Sequence, residues 1–504
     1  MNYLMGIDLG TSSLKSVIME RDGKIIAIST CKYDVSSPQP GHMEQDPEIW
    51  WLACVKTIRE CLHKSSVEAQ EIASLSFSGQ MHGLILLDEK KELIRPAILH
   101  NDARSDVEVE ALYALLGREH VLNHLMNPIF TGSQLASLYW MKKNETDRFR
   151  RIRYILSPKD YLLFRLTGVI STDYSDASAT LLYDMKEKCW WKRALDCIDI
   201  SPEFLSPVRE STFPAGKISH AAEKETGLST QTIVCVGGGD QIMQALGNGV
   251  FNPGMATVTI GSSGQIFIPA DRPVGNPDFN MHTFCGAQED LWFSMGAILS
   301  AGLSLKWVGN LLGEDDFVKL GRKAEKVPAG SKGLIFLPYL NGERTPHMNP
   351  LLRGGFLGLS METKADDLIR AVMEGVSFAL REAMETCTQV VPAPVKWIAS
   401  GGGTHSATWM QILANILDKP LYISKVRENA AVGAAITGGV GAGIYDSLKK
   451  GCGEVVSYHL NPVVPDPEKV KLYEELYQIF KEVNTANTKE LERLAQMQRR
   501  SGDA

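Results

Sequence analysis

Hydrophobic positions along the chain fall into short runs closed off by glycine, small hydroxyl residues or aspartate. Leu4-Met5-Gly6-Ile7-Asp8-Leu9 and Leu14-Lys15-Ser16-Val17-Ile18-Met19 read as two strands around the loop Gly10-Thr11-Ser12-Ser13. Asp22-Gly23 before Ile25-Ile26-Ala27 predicts that another hairpin follows. Ile72 to Ser78 reads as a strand ending in Gly79-Gln80-Met81-His82-Gly83, with a strand-like run from Leu84 to Leu87 after it. Ile233-Val234-Cys235-Val236 reads as a buried strand, Gly237-Gly238-Gly239 as a tight turn, and the segment after Asp240 has helical spacing. Asp46-Pro47 predicts a helix start, with Trp50 and Trp51 as packing residues. Helical spacing from Asp366 to Cys387 aligns Ile369, Val372, Met373, Val376, Leu380 and Ala383 as a core stripe. The tail from about Pro467, with Leu472, Leu476, Ile479 and Phe480, reads as one or two amphipathic helices with a frayed, charged end. It is expected to pack on the C-terminal part of the chain or on a second subunit.

The pattern repeats. Gly261-Ser262-Ser263 again joins two strand-like runs, Thr257 to Ile260 and Gly264 to Ile268. Val395 to Ser400 leads through Gly401-Gly402-Gly403 into a helix-like run carrying Trp409, Ile412, Leu413 and Ile416. Each half therefore opens with a small-residue hairpin and later carries a strand, three glycines and a helix, which suggests a duplicated domain. Two such halves facing each other would grip a nucleotide, with its phosphates near both hairpins. A length of 504 residues also favours two domains, or three, over one core.

Composition narrows the function classes. At 44% hydrophobic and 22% charged residues, with a net charge of -7, the chain offers no electrostatic reason to bind nucleic acid or an anionic membrane. Small-molecule chemistry is the better expectation. The N-terminus reaches Asp8 too soon for a signal peptide, and no apolar run is long enough to span a bilayer, so a cytoplasmic protein is expected. The nine cysteines include no Cys-x-x-Cys pair and read as reduced, mostly buried thiols.

Asp240 stands at a strand-to-helix turn, where ligands of open α/β sheets bind; it reads either as a catalytic base or as the N-cap of its helix. Asp8 and the loop after it read either as a plain hairpin or as a phosphate loop, with the carboxylate beside a hydrated magnesium ion. Gln80 and His82 lie between glycines at a strand end, and His100-Asn101-Asp102-Ala103-Arg104 could bind several hydroxyls or simply hold an Asp102–Arg104 surface pair. The second triple glycine is followed by Thr404 rather than a carboxylate, so the chemistry is assigned to Asp240 and close backbone approach to the other turn.

Taken together, Asp8-Leu9-Gly10-Thr11, Gly79-Gln80-Met81-His82-Gly83, Asn101-Asp102, Pro158-Lys159-Asp160-Tyr161, Gly237-Gly238-Gly239-Asp240, Leu337 to Pro346 and Gly401-Gly402-Gly403 resemble the FGGY carbohydrate kinases, and among them the xylulokinases. A longer signature runs from Gly354 through Phe356, Gly358, Leu359, Asp367, Leu368 and Ala371 to Glu374. The resemblance spans residues 4 to about 445. It implies an α/β fold of two actin-like, ribonuclease-H-like domains closing over ATP and sugar. The domains are drawn at 1–248, sugar-binding with the catalytic Asp, and 249–460, nucleotide-binding, with a helical tail at 461–504. It further implies ATP-dependent phosphorylation of a ketopentose, for xylulokinases the 5-hydroxyl of D-xylulose, with Mg2+ as cofactor.

Residue by residue, the resemblance makes Asp240 the general base and Asp8 the acid near the metal and phosphates, both beside Mg2+. Met81 and His82 match the sugar-contacting pair, Asn101 and Asp102 a segment lining the sugar pocket, and Gln241 its wall. Gly10, Thr11, Ser12, Ser13, Gly261, Ser262 and Ser263 match the phosphate loops; Gly402, Gly403 and Asn415 fall where the family contacts the nucleoside. Three departures bear on specificity. Gln241 replaces an Asn usual in xylulokinases, His100 a frequent Trp, and Ser137 a usual Lys. Other acceptors (ribulose, L-xylulose, gluconate or glycerol) therefore stay open, although the Gln80-Met81-His82 triplet stands where glycerol kinases carry an Arg-Glu pair. An actin-like ATP switch without sugar chemistry and a catalytically dead sugar sensor are the remaining alternatives; intact Asp8 and Asp240 argue against the last. A homodimer is left open.

Overall fold

The computed structural model describes residues 3–502. Its first sheet is built on the strand Tyr3–Leu9, whose Leu4, Met5, Ile7 and Leu9 are all fully buried. Burial on both faces follows from layers on either side. Ser13–Glu20 and Ile25–Lys32 extend the sheet antiparallel on one side. On the other, Ile72–Gly79 and then Ile233–Cys235 pair in parallel, and Pro214–Lys217 closes the edge antiparallel.

One face is covered by the helix Pro47–Ser65, with Asp46 as N-cap accepting from the Glu48 amide at 3.0 Å and Pro47 opening the first turn. Trp50 and Trp51 are buried in the core beneath it. The layer on the first strand, however, comes from far along the chain: the helix Asn429–Gly441 packs on Tyr3–Leu9, on Ile72–Gly79 and on the helix Asp240–Gly247. Contact is backbone to backbone. A Cβ on Gly6 would lie 1.8 Å from the Ala431 carbonyl oxygen, and one on Gly433 would lie 1.9 Å from that of Met243.

The second sheet repeats the order of the first. Met255–Ile260 pairs antiparallel with Gly264–Ala270, which pairs antiparallel with Trp292–Ile298; in the other direction it pairs parallel with Lys396–Ser400, followed by Leu421–Ile423. His282–Cys285 is added at the outer edge. The helix Ala365–Thr388 packs on this sheet, and every position of its anticipated stripe is buried.

The tail is one helix, Pro467–Gly502, packed on the C-terminal half of its own chain. Tyr473, Tyr477 and Phe480 are buried there, and the Tyr473 hydroxyl donates to Glu374 Oε1 at 2.7 Å. All nine cysteines are free thiols, six of them buried. Among the described residues no helix is long and apolar enough to cross a membrane.

Candidate active site

Strand register brings two carboxylates to one place. Asp8 lies abreast of Ser78, which lies abreast of Gly238; one step on, Leu9, Gly79 and Gly239 are aligned. Neighbouring strands lie about 4.8 Å apart, so Asp8 and Asp240 end up at strand tips on either side of Gly79, about two such spacings from each other. The Ser78 hydroxyl donates to Asp8 Oδ1 at 2.7 Å. Asp240 is the first residue of its helix and the N-cap position falls on Gly239, so the carboxylate is not consumed as a cap. Burial, and then the charge of Asp8, push the Asp240 carboxyl up to about 7, against hydrogen bonds from Gln241. Burial also raises Asp8, while Ser78 and Lys15 pull it down.

Both hairpin loops are held rigid from behind. The Gly10 amide donates to Ser13 O at 3.0 Å, Gln45 Nε2 donates to Thr11 O at 2.8 Å, and the Tyr33 hydroxyl donates to Gly10 O at 2.7 Å. In the second loop the Gly261 amide donates to Ser263 O at 2.9 Å, and the carbonyls of Gly261 and Ser262 accept from Gly302 and Ala301. Ser12 and Ser262 are left exposed at the two tips. A mainly apolar cavity of about 520 Å³ begins at Gly261 and Ser262, passes Gly402 and Gly403, and is walled by Leu303, Lys306, Phe317, Val318 and Trp409. Its size and mainly apolar lining are those of a small-molecule site.

A second cavity, about 350 Å³, straddles the two halves. His82, His100, Asn101, Phe130 and Thr131 line it from the first half, and His282, Phe284, Met295, Arg344 and Met348 from the second. His82 is held by a 2.8 Å hydrogen bond between Nδ1 and the Ala179 carbonyl, which makes Nδ1 the protonated nitrogen and leaves Nε2 as an acceptor. Burial lowers His82 to about 3 and His100 to about 4; burial and Arg344 lower His282 to about 3. All three rings are therefore neutral hydrogen-bonding groups at neutral pH. His282 is 5% exposed, and its Nδ1 is sealed without a hydrogen-bond partner. A sealed lone pair costs less than a sealed N–H, so the proton is assigned to Nε2.

Residues 3–247 match the N-terminal domain of the FGGY family of carbohydrate kinases, and residues 256–442 match its C-terminal domain. The chain belongs to this family. A xylulose kinase from Bacillus subtilis is 33% identical over 492 residues, covering 97% of this chain and 98% of the relative. A gluconokinase from the same organism is 30% identical over 492 residues, covering 95% of each. The crystal structure of a xyloylose kinase from Brucella ovis superimposes with a TM-score of 0.89 at 33% identity, over 96% of this chain and 99% of that one.

In this FGGY kinase the anticipated residues are placed unevenly. Gly261, Ser262, Gly402 and Gly403 line the larger cavity, and His82 and Asn101 line the smaller one. Asp8 and Asp240 line neither; they sit at strand tips on either side of Gly79, near enough for the charge of Asp8 to act on Asp240. Asp102 does not line it. Its carboxylate accepts from Arg104 Nε at 2.9 Å, Arg104 Nη2 at 2.8 Å and the Met43 amide at 2.6 Å, a buried pair rather than a surface one. Met81 lies under the glycine turn, where a Cβ on Gly239 would come within 2.8 Å of its Cγ. Gln241 is bound to Asp240. Asn415 is likewise absent from the large cavity: its Oδ1 accepts from Gln411 Nε2 at 3.0 Å and from the Asp466 amide at 2.8 Å, tying down the start of the tail. Ser137 is buried in the helix Gln134–Asn144, outside both cavities.

Sequence reasoning missed the contribution of the second half to the smaller cavity. Arg344 lies within Glu343-Arg344-Thr345-Pro346, a quoted motif that carried no role. His282, Phe284 and Met295 sit on strands, and nothing local separates them from core residues.

Proposed function

We propose that this kinase transfers the γ-phosphoryl group of ATP to the 5-hydroxyl of D-xylulose, with Asp240 as the base. The observation that carries this reading is Asp240 itself: a carboxylate free of capping duty, raised to about 7, at the strand tips that also carry Asp8 and the Gly10–Ser13 loop. In the transfer the hydroxyl oxygen forms a bond to the γ-phosphorus, the bond to the β,γ-bridging oxygen breaks, and ADP leaves with that electron pair. The hydroxyl proton passes to Asp240. A base poised near neutral pH suits this task, and the loose transition state asks mainly for positioning and charge stabilisation. Ser12 and Ser262, at the exposed tips of the two loops, supply donors for the phosphates, and the larger cavity takes the nucleoside.

The donor set fits a hard divalent ion. Asp8 and Asp240 offer carboxylate oxygens, and among the described residues no group of three or more His, Cys, Asp or Glu side chains is arranged to hold a metal ion by itself. Such a site suits Mg2+, which keeps most of its water and phosphate ligands and would draw charge from the phosphates when bound. ATP supply places this reaction in the cytoplasm.

A second reading is favoured by Arg344, whose guanidinium in the smaller cavity is complementary to an acid sugar such as gluconate. The test is ADP release with ATP and Mg2+ against D-xylulose, L-xylulose, D-ribulose, L-ribulose, gluconate and glycerol, with Asp240→Ala alongside. The expected result is the highest kcat/KM for D-xylulose and a loss of at least about a thousandfold in kcat for Asp240→Ala. Preference for another acceptor would replace the sugar, near-normal turnover by Asp240→Ala would remove the base, and ATP consumption indifferent to every acceptor would favour a nucleotide switch.

A further inference from the structure

Next to the glycine turn lies a buried ionic cluster that the transfer chemistry does not use. Lys159 packs its stem on Gly79, the residue abreast of Gly239: a Cβ on Gly79 would lie 2.8 Å from Lys159 Cβ. Lys159 Nζ is 2.7 Å from Asp160 Oδ1, 3.1 Å from Asp173 Oδ1 and 3.3 Å from Asp176 Oδ2, and all four side chains are at most 1% exposed. Three carboxylates around one ammonium leave an excess of negative charge. Burial, together with Asp173 and Asp160, pushes Asp176 well up despite the pull of Lys159. Desolvating so many charges is costly, and an apolar core would hold the fold at least as well. The cluster therefore calls for a role beyond packing.

Its connections supply one. Asp173 Oδ2 accepts from the Ser175 amide at 2.9 Å, the Ser175 hydroxyl at 2.5 Å and the Ser211 hydroxyl at 3.1 Å. A serine hydroxyl has one proton, and Asp173 takes it. Ser175 Oγ can then only accept from its other neighbour, and that neighbour is the Gly239 amide at 2.9 Å. Gly239 precedes Asp240 directly. Lys159 anchors Asp173, Asp173 sets the polarity of the hydroxyl, and the hydroxyl fixes a backbone N–H at the root of the catalytic side chain.

We infer that Ser175, oriented by Asp173 and Lys159, is a positioning residue that holds the Gly238–Gly239 backbone and so aims the Asp240 carboxylate at the acceptor hydroxyl. The inference rests on Asp240 being the base, not on which sugar is used. Ser211 provides the control, because its hydroxyl shares the same Asp173 oxygen without reaching the Gly239 amide.

The experiment compares Ser175→Ala and Ser211→Ala with the wild type on whichever acceptor the wild type turns over fastest. Ser175→Ala is expected to lose ten- to a hundredfold in kcat, the scale of a small misplacement of a catalytic group, with KM for sugar and ATP within threefold. Hydrogen exchange at Gly239 should speed up in the same variant. Ser211→Ala should keep kcat within twofold, although both variants lower Tm. A Ser175→Ala kcat within twofold of wild type, or an equal loss in Ser211→Ala, would overturn the inference. If Ser175→Ala does not accumulate folded, Ser175→Cys takes its place, since sulfur is only a weak acceptor for the Gly239 amide; an unchanged kcat there would be equally fatal. Asp240→Ala, run in parallel, reads the assignment of the base separately.

Discussion

Asp240, proposed above as the base, is held in the folded protein at a cost in stability. Its folded pKa is raised to about 7, so the folded state binds the proton more tightly than the unfolded chain does. The sign follows directly: the native state is favoured at low pH, and the carboxyl costs stability as pH rises from about 4 through about 7. Asp240→Asn removes that cost. In metal-free buffer the variant should be more stable than wild type at pH 8 by about 1–3 kcal/mol, after discounting for solvent screening, and nearly equal to it at pH 4. Thermal melts at the two pH values check this; a difference independent of pH would mean that Asp240 is not strained by burial.

Among the elements, the helix that follows the glycine turn, Asp240–Gly247, packs closely across Asn429–Gly441. Backbones this close tolerate no side chain, so Gly433→Val should force the helices apart and cost at least about 3 kcal/mol, measured by denaturant unfolding. Elements of this kind were legible from local chemistry wherever it is distinctive. Asp46-Pro47 marked a helix start, Asp22-Gly23 a hairpin and Asp366 to Cys387 a buried stripe, and each is found. What the pattern could not say was where Asn429–Gly441 docks. Its alanines, valines and glycines are apolar on every side, so periodicity predicts burial but no face. The candidate site divides in the same way. Asp8 and Asp240 stood out because glycine loops flank them. Asp102 and Asn415 offered the right atoms in the sequence, but Arg104 and Asp466 take them in the fold.

For the whole molecule, the smaller cavity matters because neither half completes it. His82 and Asn101 come from one side, and His282 and Arg344 from the other. A donor from the second half should contribute to sugar binding and not to nucleotide binding. His282→Ala is accordingly expected to raise KM for the sugar about tenfold and leave KM for ATP within twofold, as measured by varying each substrate with the other saturating. A change in both would point to a general loss of structure.

The docking of Asn429–Gly441 on the first strand also has a consequence for biosynthesis. Tyr3–Leu9 and Ile72–Gly79 emerge early from the ribosome, but the layer that covers them emerges some 350 residues later. At ordinary elongation speeds that interval is roughly 20–70 s. During it the nascent first sheet presents an apolar face with no partner of its own, so chaperone occupancy of the growing chain should persist until the residues near Gly433 have been translated.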